Sequence, residues 1–389
     1  MLFRVPERLQ KHGVRLEDPN SPDFPVRTTP ASVKITHPAY YVPQPEDHPD
    51  YNSPFSLRKD QALQLAKAIR RDGLPSFLLE RAKEARFAAD HEELLRRSIL
   101  HANVQDSAME PLPKKHDPVL FWRRYPYASG IPDRRKNELL LDNLLHYSYS
   151  LSAQFPQLLD LRPYRNGCFN ATIAREPDER LCFRLSAALS LLSRKGKLAA
   201  VLNGEEVEQT AQEPLADVFP VKPLIDLREE HVYSAEPAFP LCWKAPVASQ
   251  RMQVHTVLCT REEDSLEQQK YPWTPSERLG SALLKCFGCA LALAKASYQQ
   301  ASYQQSQSNS TLPEPLVVQL VQLHNGAFDF VVFQLNTLDF SSRDGVRNVA
   351  WLDPTNELFT GKLFHEDFDT VENLNPDVYR KFLACLLHT

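Results

Sequence analysis

Asp226, Glu229, Glu230 and His231 lie within six residues of one another. Carboxylates and an imidazole at that density could make a metal site or an acid–base pair. Their spacing is neither HExxH nor any other pattern with a set mechanism, and a solvated strand end is the simpler account. Cys286 and Cys289 form a CxxC. Structural zinc needs a second cysteine pair or two histidines at suitable spacing, and neither is near. A redox CxxC opens a helix after a strand, whereas this pair lies inside an apolar helical run, so core packing explains it. His255, His324 and His388 are isolated, and the chain has no GxSxG, GxGxxG or GxxxxGK[ST] pattern. No catalytic set emerges, and no metal or cofactor is expected.

A second chemistry is cationic. Phe121-Trp122-Arg123-Arg124-Tyr125 mixes aromatic rings with guanidinium groups, and Lys114-Lys115 and Arg134-Arg135-Lys136 flank it. Such a mixture can neutralise phosphates while a ring stacks on a base. A basic protein-binding loop or ordinary surface would look the same. Arg4, Arg8, Lys11 and Arg15 recur at spacings of four, three and four, which puts them on one helical face. Residues 1–136 hold 23 Lys and Arg against 18 Asp and Glu, a net of +5, and the remaining 253 hold 22 against 31, a net of −9. A basic front on an acidic body leans towards a polyanionic partner. Arg123, Arg124, Arg134, Arg135 and Lys136 are expected to face RNA or an acidic partner.

The elements that must position these groups can be read from composition and period. Glycine is scarce (11) and proline abundant (31), which disfavours phosphate-cradling loops and favours extended segments. Seven cysteines in a long chain do not suggest a secreted disulfide framework. No stretch approaches the length of an uncharged membrane span. Residues 17–55 carry nine prolines interleaved with Tyr40, Tyr41, Tyr51 and Phe55, an arm that can be neither a long helix nor a central strand. From Ser56 a helix is expected through Leu63, Ala66 and Ile69 to Gly73, then helices from Pro75, from Ala88 to Val104 and from Asn137 to Leu151, with a basic loop over 110–136. Phe169–Ala174 and Leu181–Leu185 read as a hairpin across Pro177-Asp178, with short strands at 224–227 and 254–259 and an acidic loop at 203–217. Thr274-Pro275-Ser276-Glu277 is a capping box. Asn325-Gly326 between two apolar runs is a type I′ hairpin signal. Asn375-Pro376-Asp377 opens a final helix.

The expected architecture is α+β, with domains at 1–55 (extended basic arm), 56–160 (mainly helical) and 161–389 (body with a mixed or antiparallel sheet and packed helices). Three ordered segments of that body, FDFVVFQLNT (328–337), GVRNVAWLD (345–353) and YRKFLACLLH (379–388), resemble the mitochondrial ribosomal large-subunit protein thirty-seven family. FPVKPLIDLREEHVY (219–233) and FGCALALAKASY (287–298) are similar to further family segments. The likeness covers 165–389 and weakens before it, and the N-terminus matches a presequence only in part. What the resemblance implies is a non-enzymatic constituent of the mitochondrial large ribosomal subunit, in the matrix. It implies contact with large-subunit rRNA and neighbouring proteins, and a heterodimer with the paralogue once catalogued as small-subunit protein thirty. Gln334, Asn336, Asn348 and Trp351 are the expected partner-interface residues. A metal-dependent enzyme using Asp226, Glu230 and His231, or an RNA-binding adaptor outside the ribosome, are the alternatives.

Overall fold

The computed structural model describes residues 58–104, 110–111, 129–176, 179–215, 253–260, 273–298, 311–340, 342–360 and 371–389. The arm, the Phe121–Tyr125 segment, Lys114-Lys115, the 224–227 strand, the Asp226–His231 cluster and the 177–178 turn lie outside these residues. In chain order the elements are α1 (Lys59–Leu65), β1 (Ala68–Asp72), α2 (Ser76–Lys83), α3 (His91–Asn103), the two-residue strands β2 (Glu110–Pro111) and β3 (Ser129–Gly130), and α4 (Asp133–Ser150). They continue with β4 (Leu161–Glu176), β5 (Glu179–Ser193), α5 (Gly204–Gln209), β6 (Gln253–Thr260), α6 (Pro275–Tyr298), β7 (Thr311–His324), β8 (Ala327–Thr337), β9 (Asn348–Glu357) and α7 (Pro376–Leu386).

The β7–β8 hairpin forms as its sequence dictates. His324 pairs with Ala327 across Asn325 (φ 47°) and Gly326 (φ 84°), the two positive φ values that a type I′ turn demands. A Cβ on Gly326 would also sit 2.8 Å from the Phe359 ring, so space and backbone both require glycine there. This hairpin is the centre of a seven-stranded mixed sheet in the order β1-β9-β8-β7-β6-β5-β4. The β1–β9 and β6–β7 pairs are parallel and the rest antiparallel.

Helices cover both faces, and the α+β class follows. On one face Leu78, Leu95, Ile99, Leu144, Tyr379 and Phe382 from α2, α3, α4 and α7 pack on Val321, Phe330, Val332 and Val349. On the other, Ala62 of α1 and Leu283, Cys286, Phe287 and Ala290 of α6 pack on Val318, Phe333, Leu335 and Ala350. Burial on both faces is why β7 and β8 read as continuous apolar runs and not as alternating ones. The capping box at the start of α6 is present: Thr274 Oγ1 accepts from the Glu277 amide (3.3 Å), and Glu277 Oε2 accepts from the Thr274 amide (2.9 Å). Midway along α6, a Cβ on Gly288 would stand 2.4 Å from Leu185 Cδ1, so the missing side chain lets the β4–β5 hairpin lie against the helix.

Four expectations change. The helix expected to reach Gly73 stops at Leu65, Lys67 takes φ 46°, and Ala68–Asp72 becomes a sheet-edge strand because parallel pairing with Asn348–Leu352 outweighs helical periodicity. Arg134-Arg135-Lys136 sit in the first turns of α4, not in a loop, since that helix begins at Asp133. The acidic 203–217 segment contains α5, whose own capping box pairs Asn203 with Glu206 in both directions (3.0 and 2.8 Å). The 169–185 hairpin is far longer at its open end than its apolar cores suggested, with β4 starting at Leu161 and β5 running to Ser193.

Candidate nucleic-acid and partner interface

The residues expected at a partner interface come together, but inside the fold. Gln334, Asn336 and Asn348 are at most 1% exposed and Trp351 is 7% exposed. Gln334 Oε1 accepts from the amides of Val201 (2.7 Å) and Leu202 (3.0 Å), and its Nε2 donates to Asn336 Oδ1 (2.9 Å). Asn336 Nδ2 donates to the Arg347 carbonyl (2.8 Å). Asn348 Oδ1 accepts from the amides of Asn336 (2.8 Å) and Thr337 (3.0 Å), while Nδ2 donates to the Ala66 carbonyl (2.8 Å). The Arg347 amide continues the chain to Thr210 Oγ1 (3.0 Å), just beyond α5. This seam of amides fastens the 201–202 loop, the α5 end, the α1–β1 turn and the loop before β9 to one end of the sheet. Trp351 stands across from Val332 of β8 and Arg71 of β1 and packs in the core. Side chains this deep, with their polar atoms engaged by their own chain, cannot meet a partner without unfolding that end. Their role is therefore internal, in place of the interface expected from sequence.

None of these groups titrates or can act as a nucleophile. Two histidines and two cysteines buried elsewhere are enclosed as well. His255 is not isolated: its Nε2 contacts the His388 carbonyl (2.6 Å), and His388 Nε2 contacts the Ala199 carbonyl (3.1 Å). Burial pulls both imidazoles down to about 4, and in His388 the neighbouring His255 adds to it. Burial raises the Cys286 and Cys289 thiols far above their ordinary value, with the other thiols adding to the effect at Cys286, and both side chains are fully enclosed in α6. Among the described residues no group of three or more His, Cys, Asp or Glu could hold a metal ion. Nor is any helix there long and apolar enough to cross a membrane.

The cationic candidates divide. Arg4, Arg8, Lys11, Arg15, Lys114, Lys115, Trp122, Arg123 and Arg124 lie outside the described residues. Arg134 and Arg135 are exposed and Lys136 is half-buried at the start of α4. Arg134 pairs with Glu138 (2.9 Å) and Lys136 approaches Asp133 (3.8 Å). A cleft of about 200 Å³ runs between α4 and the β4–β5 hairpin, lined by Arg134, Glu138, Leu141, Asp142, Arg165 and Leu189. Arg165, on edge strand β4, reaches across it to Asp142 (2.7 Å). At the root of the same hairpin Lys195 pairs with Asp160 (3.0 Å).

No family model matches the chain. Curated relatives do. Large ribosomal subunit protein mL37 of Mus musculus is 30% identical over 342 residues, which cover 84% of this chain and 71% of the relative. The chain belongs to the mL37 family. The mL37 protein of Gallus gallus is 27% identical with 84% of this chain and 70% of its own covered, and that of Bos taurus is 27% identical with 91% and 80% covered. These shares exceed what residues 165–389 alone can supply, so the mL37 likeness extends into the helical segment where the signature residues fade.

Reading the sequence for clusters missed Arg165 and Lys195. Arg162 and Arg165 flank Pro163, and proline inside a strand marks a sheet edge. That pattern, cations around a strand proline, was the available signal.

Proposed function

We propose that this chain is a structural constituent of the large subunit of the mitochondrial ribosome and supports mitochondrial translation by holding RNA and protein in place. The observation that carries this reading is likeness to mL37 proteins along more than four fifths of the chain. The internal use of the seam amides suits it: the best-defined part of the molecule is built for rigidity and presents no reacting group. The role is non-enzymatic. Large-subunit rRNA is the proposed partner of Arg134, Arg135 and Lys136. It is also the proposed partner of Arg4, Arg8, Lys11, Arg15, Lys114, Lys115, Trp122, Arg123 and Arg124, carried by the 1–55 arm and the 110–136 segment. Neighbouring large-subunit proteins and the paralogue, as a heterodimer, are the proposed protein partners. Their contacts are assigned to surfaces other than the buried seam.

Sedimentation of the tagged protein from a mitochondrial lysate tests the assignment. Comigration with large-subunit particles is expected, and a peak at the free-protein position would overturn it. Metal content of the purified protein separates the enzyme alternative at Asp226, Glu230 and His231. Stoichiometric metal lost on alanine substitution there would favour that alternative.

A further inference from the structure

Three ion pairs mark the edge of the sheet formed by β4 and flanked by α4, and all three are built the same way. In Arg134–Glu138 the cation is 63% exposed and the carboxylate 25%. In Arg165–Asp142 the figures are 60% and 18%, and in Lys195–Asp160 they are 60% and 34%. The acids lie beneath and the cations project. Arg162, beside Pro163 on the same strand, and Arg135 and Arg194 are also exposed. In each of the three pairs the cation is the more exposed member, so each pair presents its positive end outward.

The groups also form a line. Arg165 lies four residues along β4 from Leu161, about 13 Å at strand rise. Arg134 lies eight residues along α4 from Asp142, the partner of Arg165, about 12 Å at helical rise. Lys195 stands at the strand's root, so Lys195, Arg165 and Arg134 are spread over roughly 25 Å, while Arg162, three residues from Arg165 and opposite Leu192, leaves the other face of the sheet.

We infer that this α4–β4 edge is a docking surface for the sugar–phosphate backbone of RNA, contacted by Lys195, Arg165 and Arg134. The inference rests on the ribosomal reading above and gives it a place on the molecule. A protein occupant fits less well for two reasons. Protein interfaces centre on apolar and aromatic side chains, and among the described residues the one large exposed apolar side chain beside these cations in sequence is Leu159, next to Asp160. Addition of a strand to β4 is opposed by Pro163, which offers no amide to a ladder. A linear row of projecting cations matches a polyanion in which charge recurs along a line. The carboxylates beneath hold the side chains outward and moderate the affinity.

The test uses the full-length chain and a generic RNA duplex of about two helical turns as probe, titrated at several salt concentrations. In the R134Q/R165Q/K195Q variant, binding should fall at least about tenfold and the slope of log K against log salt should shrink by about 3, one for each contact. The E138Q/D142N variant should bind a fewfold more tightly, a change that general damage to the fold would not give. R134K/R165K, which keeps the charge, should stay near wild type. An unchanged salt slope in the triple variant overturns the inference. If that variant also leaves large-subunit particles while wild type cosediments, the edge meets a protein, and only the RNA assignment falls. If wild type itself does not cosediment, the ribosomal reading has failed instead.

Discussion

Asn348→Ala removes one side chain and strands three backbone groups. The Asn348 carboxamide accepts from the amides of Asn336 and Thr337 and donates to the carbonyl of Ala66, all within 3.0 Å, at a position with no exposure. Leaving a buried backbone donor or acceptor without a partner costs about 1–3 kcal/mol. Three such groups, with water relaxing part of the loss, give an expected destabilisation of about 3–6 kcal/mol, in the upper tail for single substitutions. Urea unfolding measures it. With an m of about 3 kcal/mol/M or more for a protein of this size, the midpoint should fall by roughly 1–2 M. Hydrogen exchange should show the amides of Asn336 and Thr337 losing protection first, because they lose their acceptor directly. Asn348→Asp separates the contributions: it keeps an acceptor for the two amides but turns an oxygen towards the Ala66 carbonyl, so it should also be strongly destabilising. A cost below about 1 kcal/mol for Asn348→Ala would refute the view that this seam ties the α1–β1 turn and the loop before β9 to the sheet.

Gly288→Ala should destabilise by about 1–3 kcal/mol, because its Cβ would meet Leu185 Cδ1 at 2.4 Å; a thermal midpoint equal to wild type would remove the close approach of helix and hairpin. Gly326→Val should be worse than Gly326→Ala, since both meet positive φ and the Phe359 ring while valine adds bulk; equal midpoints would argue that the turn relaxes. His255 and His388 are held near 4 in the fold against 6.5 in the open chain, so the native state binds fewer protons. Their contribution is complete above pH 6.5 and is lost as pH falls towards 4, by at most about 3 kcal/mol each. Asp329, raised by burial, works in the opposite sense. Chemical denaturation between pH 7.5 and 4.5 should show falling stability, and a level profile would count against the burial of this pair. Thr274→Ala should cost about 1 kcal/mol through loss of the α6 cap, measured in the same way.

Local chemistry made some of this fold legible. Asn325-Gly326, Thr274–Glu277 and Asn375-Pro376 each state a backbone requirement that neighbours alone can meet, and each forms its turn or cap. What failed was decided at a distance. Ala68–Asp72 looks helical until a strand 280 residues later offers its edge. The seam amides looked like surface because asparagine and glutamine are mostly exposed; only the folded chain shows that the loop at 201–202 and the turn at Ala66 need them. Arg134 was visible as part of a cationic triplet, whereas Arg165 and Lys195 are ordinary in sequence. They join it only because α4 lies along the hairpin. Histidines far apart in sequence, His255 and His388, likewise become neighbours when α7 crosses the sheet.

The seam has one further consequence. Carboxamides carry no net charge, so neither mobile ions nor a change of pH within the ordinary range weakens their grip. A salt bridge in the same place would be screened by the counterions that crowd a polyanion, and phosphate oxygens would compete for its cation. The bonds that Gln334, Asn336 and Asn348 make at the end of the sheet are therefore indifferent to electrolyte, unlike the Lys67–Asp339 and Arg71–Glu213 pairs beside them. The projecting arginines of the β4 edge, by contrast, answer to ionic conditions.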